Sequence, residues 1–446
     1  MRSIAILGAG LAGLGAANRL KDEGVPSVVY EKRQHVGGQS ASYTYPGGWT
    51  FDDGPHISFT KNERMRSLFA SNVDGNYLTI HANVNNLWKS HWIKHPAQAN
   101  LYGLPTQLLI NILEEMIRAQ FSDYGEIRNY KDWLLASFGK TFSETFPMEY
   151  GWKFHTTTAD NMTTDWVGPR LYKANLGEML RGALEPDAGD VHYISDFRYP
   201  ASGGYVAFIE PFARKTDVRF GMDVASISLQ DKHLRFVDGR IEYFDHLISS
   251  IPLPELISRI EDVPSDVRIA AERLACSTCV IVDIGLDRED ISPAHWTYFY
   301  DREYSFSRLS FPHMFSPGNV PSGAGSIQAE IYFSKKYRPL TFPPESLIDV
   351  VIDDLRRCGI LRDTDRILMK AAHVVQYANV IFDLERPTAL ESIHCFLADA
   401  GIETCGRYGE WKYLWTDESF MSGEQAAQRV LNRIATRNVP PVNREY

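Results

Sequence analysis

Cysteine is scarce in this chain. Five residues, an odd number scattered over 446 positions, argue against a disulfide framework and fit a reducing compartment. Long apolar runs are missing too: no window holds about eighteen uninterrupted apolar residues, so no membrane span is expected. Met1 and Arg2 lead straight into a strand-like segment with no small-residue cleavage site behind it, and a cytoplasmic protein is the expectation. Positive charge is not in excess, since 46 Lys and Arg stand against 56 Asp and Glu for a formal net charge of −10. An acidic chain is a poor non-specific ligand for nucleic acid. A Walker loop and an H-E-x-x-H pair are absent. Cys276 and Cys279 in "CSTC" open an apolar strand with no second pair to complete a zinc site, so they read as buried structural thiols and no metal is expected.

What is present is an ordinary globular composition, 44 % hydrophobic and 23 % charged, over a length that suggests roughly two or three structural units. The stretch "SIAILGAGLAGLGAANRL" sets a β-branched strand before G-x-G-x-x-G and a helix that stops at Gly24; "SVVYEK" then reads as a second buried strand. Strand, glycine turn, helix and strand make a βαβ unit of Rossmann type. Gly8 permits the tight turn, Gly10 lets backbone approach a pyrophosphate, and Gly13 packs helix on strand. Glu31 closes the second strand about twenty residues beyond the glycines, where a carboxylate accepts from a ribose diol; the alternative is a solvated strand-end acid. Gly37 and Gly38 allow a second close approach of backbone to the cofactor, an addition that nicotinamide folds do not usually need.

Helical patterns follow in "QLLINILEEMIRAQF" and "NYKDWLLASFG", while "YISDFRYPASGGYVAFIEPFARK" reads as a loop, a glycine turn and a helix. Alternation returns around the hairpin turn "VDGR", and a β-rich section runs from "TCVIVDIGL" through "GSIQAEIYF". "SFMSGEQAAQRVLNRIA" is an amphipathic helix. The expected fold is α/β (α+β), a Rossmann-type cofactor-binding domain with interleaved helical and antiparallel β-sheet substrate domains. Its parts are a Rossmann part at 1–80, a mainly helical cap at 81–195, a cofactor-binding continuation at 196–265, a β-rich substrate domain at 266–375 and a closing cofactor-binding segment at 376–446.

With these motifs in place the sequence resembles the FAD-containing superfamily of amine oxidases, protoporphyrinogen oxidases and UDP-galactopyranose mutases, and the eukaryotic-type mutases most of all. The resemblance runs through "FDDGPHISF", "WIKHPAQANLYGLP", "KDWLLASFG", "TTDWVGPRL", "FRYPASGGY", "WTYFY", "YSFSRLSF" and "GRYGEWKYLWTDESFMSG". It implies FAD on Gly8, Gly10, Gly13, Glu31, Gly37 and Gly38, with Arg407 and Asp417 in a C-terminal FAD-contacting block. It implies His56 beside the flavin ring, and Arg170 and Arg308 on the diphosphate of a nucleotide sugar. Arginine suits that task because its planar fork stays charged; the alternative for either is a structural ion pair. Tyr298, Tyr377 and Tyr413 match substrate-pocket tyrosines, with burial in the core as the rival reading. Gln98 is kept, but His95 replaces a pocket tyrosine, and Gly151 and His155 stand where an Asn and a Trp shape the uridine pocket.

The activity implied is redox-neutral isomerisation of a pyranose to a furanose ring on a nucleotide sugar, by reduced FAD through a sugar adduct at flavin N5. It calls for an external reductant and a nucleotide-diphosphate sugar or other small molecule as partner; sugar, base and oligomeric state are left open. The alternative is an FAD oxidase or dehydrogenase of amine oxidase or protoporphyrinogen oxidase type, and a third reading is a flavin-bearing scaffold without catalysis.

Overall fold

The computed structural model describes residues 3–168, 171–186 and 194–437. Its first layer is a five-stranded parallel sheet in the order Ile402–Thr404, His246–Ser249, Ile4–Leu7, Ser27–Glu31, Asp217–Phe220. Ile4–Leu7 is the middle strand and is buried along its whole length, as a parallel strand covered on both faces must be. One face packs against the helix Leu11–Asp22 and the C-terminal helix Thr416–Arg437, through Leu14, Leu20, Phe420 and Val430. The other face meets Leu253, Leu256, Ile393 and Trp411. The two helices touch backbone to backbone. A Cβ on Gly15 would lie 2.2 Å from the Phe420 carbonyl oxygen, and one on Gly423 1.8 Å from that of Ala12.

The second sheet has seven strands, in the order Ile367–Val380, Cys276–Leu286, Gly325–Ser334, Arg308–Ser310, Trp296–Phe299, Val84–Trp88, His91–Lys94. All neighbours are antiparallel except Val84–Trp88 beside Trp296–Phe299. Val84–Trp88 and His91–Lys94 thus join this sheet although they fall within the segment read as mainly helical. Helices Thr106–Phe121, Tyr130–Thr145, Pro147–His155 and Leu176–Leu184 follow, packed around Leu134, Phe138, Phe142 and Phe146.

Two local expectations are corrected. "DFRYP" is a strand, Asp196–Pro200, paired antiparallel with Tyr77–His81; its buried Phe197 and Tyr199 alternate with the backbone pleat, a pattern hidden by the prolines and glycines that follow. The helix expected to end at Gly139 continues to Thr145 after a break at that glycine, whose φ of 74° lets it pass the Glu115 backbone. Among the described residues no helix is long and apolar enough to cross a membrane.

Candidate functional site

A large cavity opens at the carboxyl ends of the parallel strands, where ligands of open α/β sheets bind. Gly8, Gly10, Glu31, Gly37 and Gly38 line one part, and His56, Arg308, Glu330, Tyr332 and Tyr413 another. The large sheet supplies its floor through Cys279, Ile281, Glu330, Tyr332, Val375 and Tyr377.

The glycines differ in what surrounds them. Gly8 adopts φ +93°, and a Cβ on Gly13 would sit 1.9 Å from the Gly8 carbonyl oxygen, so any side chain there would force helix from loop. Gly10 differs: its nearest neighbour would be Gly38 Cα at an ordinary 3.8 Å. Its space is open toward the cavity, and no side chain caps the helix that starts behind it. The first-turn amides are therefore available to an anion. Gly37 bonds this loop, its N–H donating to the Ala9 carbonyl at 3.0 Å.

Glu31 is buried rather than solvated. Its Oε2 accepts from the Ala9 amide at 2.7 Å and its Oε1 from the Arg33 amide at 2.9 Å. Each oxygen keeps a further lone pair for a ribose hydroxyl. Arg407 lies on the cavity wall, donating Nε–H to the Leu414 carbonyl at 3.0 Å with its guanidinium 4.4 Å over the Tyr413 ring. Among the described residues no carboxylate pairs with this arginine, and a cation left so in a cavity fits an anionic ligand. Asp417 is off the wall, accepting from the Thr60 hydroxyl, while its neighbours Thr416 and Ser419 line the cavity. A glycine-bounded anion cradle, a ribose-accepting carboxylate and an uncompensated arginine together fit a dinucleotide cofactor.

At the other part His56 Nδ1 contacts the Gly54 carbonyl at 2.9 Å. Burial pushes its imidazole down to about 4, so at neutral pH the ring is uncharged. Its proton lies on Nδ1, because the carbonyl can only accept, and Nε2 is left as the acceptor. Arg308 is not a free cation: Nε donates to Glu330 Oε2, and Nη2 donates to Oε1 at 2.8 Å. This is the structural ion pair of the alternative reading, here built into the cavity wall. A Cβ on Gly54 would stand 2.9 Å from Glu330 Oε1, which brings the His56 turn and the ion pair together.

The other expected substrate residues scatter. Tyr413 lines the cavity. Tyr298 stands opposite Arg308 on the neighbouring strand, under His95 at 4.8 Å between ring centroids. Tyr377 is on the wall, with its ring packed on Tyr408 and Trp411. Gln98 donates to the Tyr172 carbonyl at 2.8 Å inside the helical lobe and is not on the wall. His155 packs against Phe154 and Trp166 with Nδ1 unpartnered, and burial pushes it to about 3; its neighbour Phe154 reaches the cavity. Gly151 lies buried in the same helix. Arg170 lies outside the described residues.

Sequence reasoning missed Glu330, Asp53 and Tyr408. Glu330 had a signal: a carboxylate inside the continuously buried strand Gly325–Ser334 requires a cationic partner. Tyr408 bridges Gln39 and the Ala378 carbonyl, a contact no spacing reveals.

A crystal structure of reduced UDP-galactopyranose mutase matches with a TM-score of 0.91 at 25 % identity, over 97 % of this chain and 94 % of that one. A CLA-producing fatty acid isomerase from P. acnes shares the fold alone, at a TM-score of 0.67 and 15 % identity over 96 % and 98 %. Sequence relatives carry other names. The 15-cis-phytoene desaturase of Synechococcus elongatus is 39 % identical over 88 residues, 20 % of this chain and 17 % of that protein. The 4,4'-diapophytoene desaturase (4,4'-diaponeurosporene-forming) of Staphylococcus haemolyticus is 24 % identical over 303 residues, 59 % and 58 %. The chain thus spans less than two thirds of the length of either desaturase. The profile of the family described as flavin containing amine oxidoreductase matches residues 11–431. The chain belongs to the flavin-containing amine oxidoreductase family.

Proposed function

We propose that the chain is an FAD-dependent mutase that interconverts ring forms of a nucleoside-diphosphate sugar. The observation that carries this reading is the composition of the cavity around His56: a bidentate Arg308–Glu330 pair with Tyr332 and Tyr413 on the same wall. A polar sugar diphosphate can hydrogen-bond to a charged pair of this kind, whereas an apolar polyene would only desolvate it. The likeness to the mutase over nearly the full chain supports the same reading.

FAD, when bound and reduced, supplies a nucleophilic nitrogen. The chain's own residues do the rest. Gly10 and the helix behind it take the pyrophosphate, Glu31 takes the ribose, and Arg407 balances negative charge. His56 stays neutral and offers Nε2 as an acceptor; Arg308, with Arg170, steadies the departing diphosphate. Segments 1–80, 196–265 and 376–446 form the cofactor part in this proposal, and an external reductant must deliver the electrons.

The test is anaerobic incubation of dithionite-reduced protein with nucleoside-diphosphate hexoses, followed by chromatography. An isomer of equal mass, with the flavin still reduced, is the expected result. No conversion, together with peroxide formed aerobically from an oxidisable substrate, would instead establish an oxidase or dehydrogenase, the reading favoured by the desaturase names among the relatives.

A further inference from the structure

Behind the wall that carries His56 lies a cluster the reaction does not use. His373 sits between two buried carboxylates, with Nε2 3.1 Å from Asp53 Oδ1 and Nδ1 3.6 Å from Asp283 Oδ2, beyond hydrogen-bond reach but within that of an ion pair. Asp53 Oδ2 also accepts the Tyr43 hydroxyl at 3.2 Å and lies 3.8 Å from Arg33 Nη1. Asp283 accepts the Tyr45 hydroxyl at 3.3 Å and Gln328 Nε2 at 2.9 Å. The side chains of Asp53 and Asp283 are 2 % and 0 % exposed.

Two carboxylates in so dry a site repel unless a cation stands between them. The charged imidazole has an N–H for each. Burial works against that charge, but the bond to Asp53 and the nearby Asp283 outweigh it, and the His373 pKa stands above the ordinary value despite Arg33.

The cluster reaches the cavity through Asp53, and its histidine lies on the sheet that floors it. Asp53 itself lines it and begins the turn whose Gly54 carbonyl holds the His56 ring. His373 lies in register with Ile281, Glu330 and Arg308 across the large sheet, on the face that floors the cavity. Wall and floor are therefore joined through one imidazole.

We propose that His373 is a positioning residue for the cofactor-facing wall: bridging Asp53 and Asp283, it fixes the turn Asp53–His56 and with it the direction of the His56 ring. This rests on the reading that His56 faces the flavin. A neutral His373 keeps one N–H, so one carboxylate loses its partner. That N–H stays on Asp53, the carboxylate within hydrogen-bond reach, but the bond loses its charge assistance and Asp283 loses its cation, so the hold on the turn loosens. Cofactor affinity consequently falls as pH rises through the His373 pKa.

The test measures FAD affinity of the full chain by flavin fluorescence from about pH 7, above the Asp283 titration, to about pH 9, for wild type, His373→Gln and Asp53→Asn. Wild type is expected to lose about tenfold in affinity along a single titration, the scale of one charge-assisted hydrogen bond. Both variants are expected to start weaker and to lack that titration. A His373→Gln protein with wild-type affinity and profile overturns the proposal. Histidine-labelled NMR of wild type gives a second reading, independent of whether the variants fold or FAD binds. The His56 resonances are expected to shift along the His373 titration, and unmoved resonances overturn the proposal. Failure of wild type to bind FAD at any pH sinks the flavin reading alone.

Discussion

Arg308 and Glu330 stand opposite each other on neighbouring antiparallel strands, and two of the guanidinium's donors are taken by the one carboxylate. The pair is part of the wall before any substrate arrives, so Arg308 meets a diphosphate with its charge already shared. Arg308→Ala leaves Glu330 buried and unpaired, and is expected to cost ~3 kcal/mol of stability in urea unfolding. The double variant Arg308→Met with Glu330→Leu should recover most of that loss while failing to bind nucleoside diphosphate by calorimetry. Recovery of both would remove the pair from the substrate site.

The glycine loop yields a sharper contrast. Gly13→Ala puts a methyl group 1.9 Å from the Gly8 carbonyl oxygen, whereas the Cβ of Gly10→Ala meets nothing closer than 3.8 Å. Gly13→Ala should therefore lower the melting temperature of the cofactor-free chain, and Gly10→Ala should not. Both should lose FAD, the second because its methyl group occupies space the pyrophosphate needs. Melting curves beside flavin retention separate the two effects; Gly10→Ala that keeps FAD places the pyrophosphate elsewhere.

These glycines show what a sequence makes legible. Spacing by itself predicts Gly8, Gly10, Gly13 and Glu31, because a tight turn, a close approach and a strand end are local requirements. Floor residues are another matter. Glu330 pairs with Arg308, 22 residues away, through sheet register, and His373 meets Asp53, 320 residues away, where a turn outside the large sheet reaches it; no single strand encodes either contact. The surroundings of His155 and Tyr377 are set by packing that spacing does not encode either. His155 stands where the sequence already departs from the family pattern, and its ring packs on Trp166; the Tyr377 ring packs on Trp411 while the residue still lines the cavity.

Buried titratable groups set the pH dependence of stability. His155 and His56 are depressed from 6.5 to about 3 and about 4 by burial, so their contributions are full above 6.5 and are lost as pH falls toward those values. Asp52 and Asp283, raised from 3.8 to about 6 by burial, contribute below 3.8 and lose that contribution as pH rises through about 6. His155→Leu removes a buried ring nitrogen that has no partner and should flatten the acid side. Denaturant midpoints at about pH 5 and about pH 7.5 should differ less in the variant than in wild type, and an equal difference would mean that His155 does not titrate in the fold.

The helix Leu11–Asp22 and the C-terminal helix Thr416–Arg437 approach through glycine, with Gly423 leaving room for the Ala12 carbonyl. Helix propensity alone favours Gly423→Ala by about 1 kcal/mol. A methyl group 1.8 Å from that oxygen has no room, and overpacking costs ~1–3 kcal/mol, so the two effects oppose and the contact should win. The displaced helix carries Thr416 and Ser419, both on the cavity wall. Gly423→Ala should therefore lower the melting temperature and weaken FAD binding together, although Gly423 itself does not line the cavity. A variant that melts higher than wild type would mean that the two helices part at no cost and that propensity governs this contact.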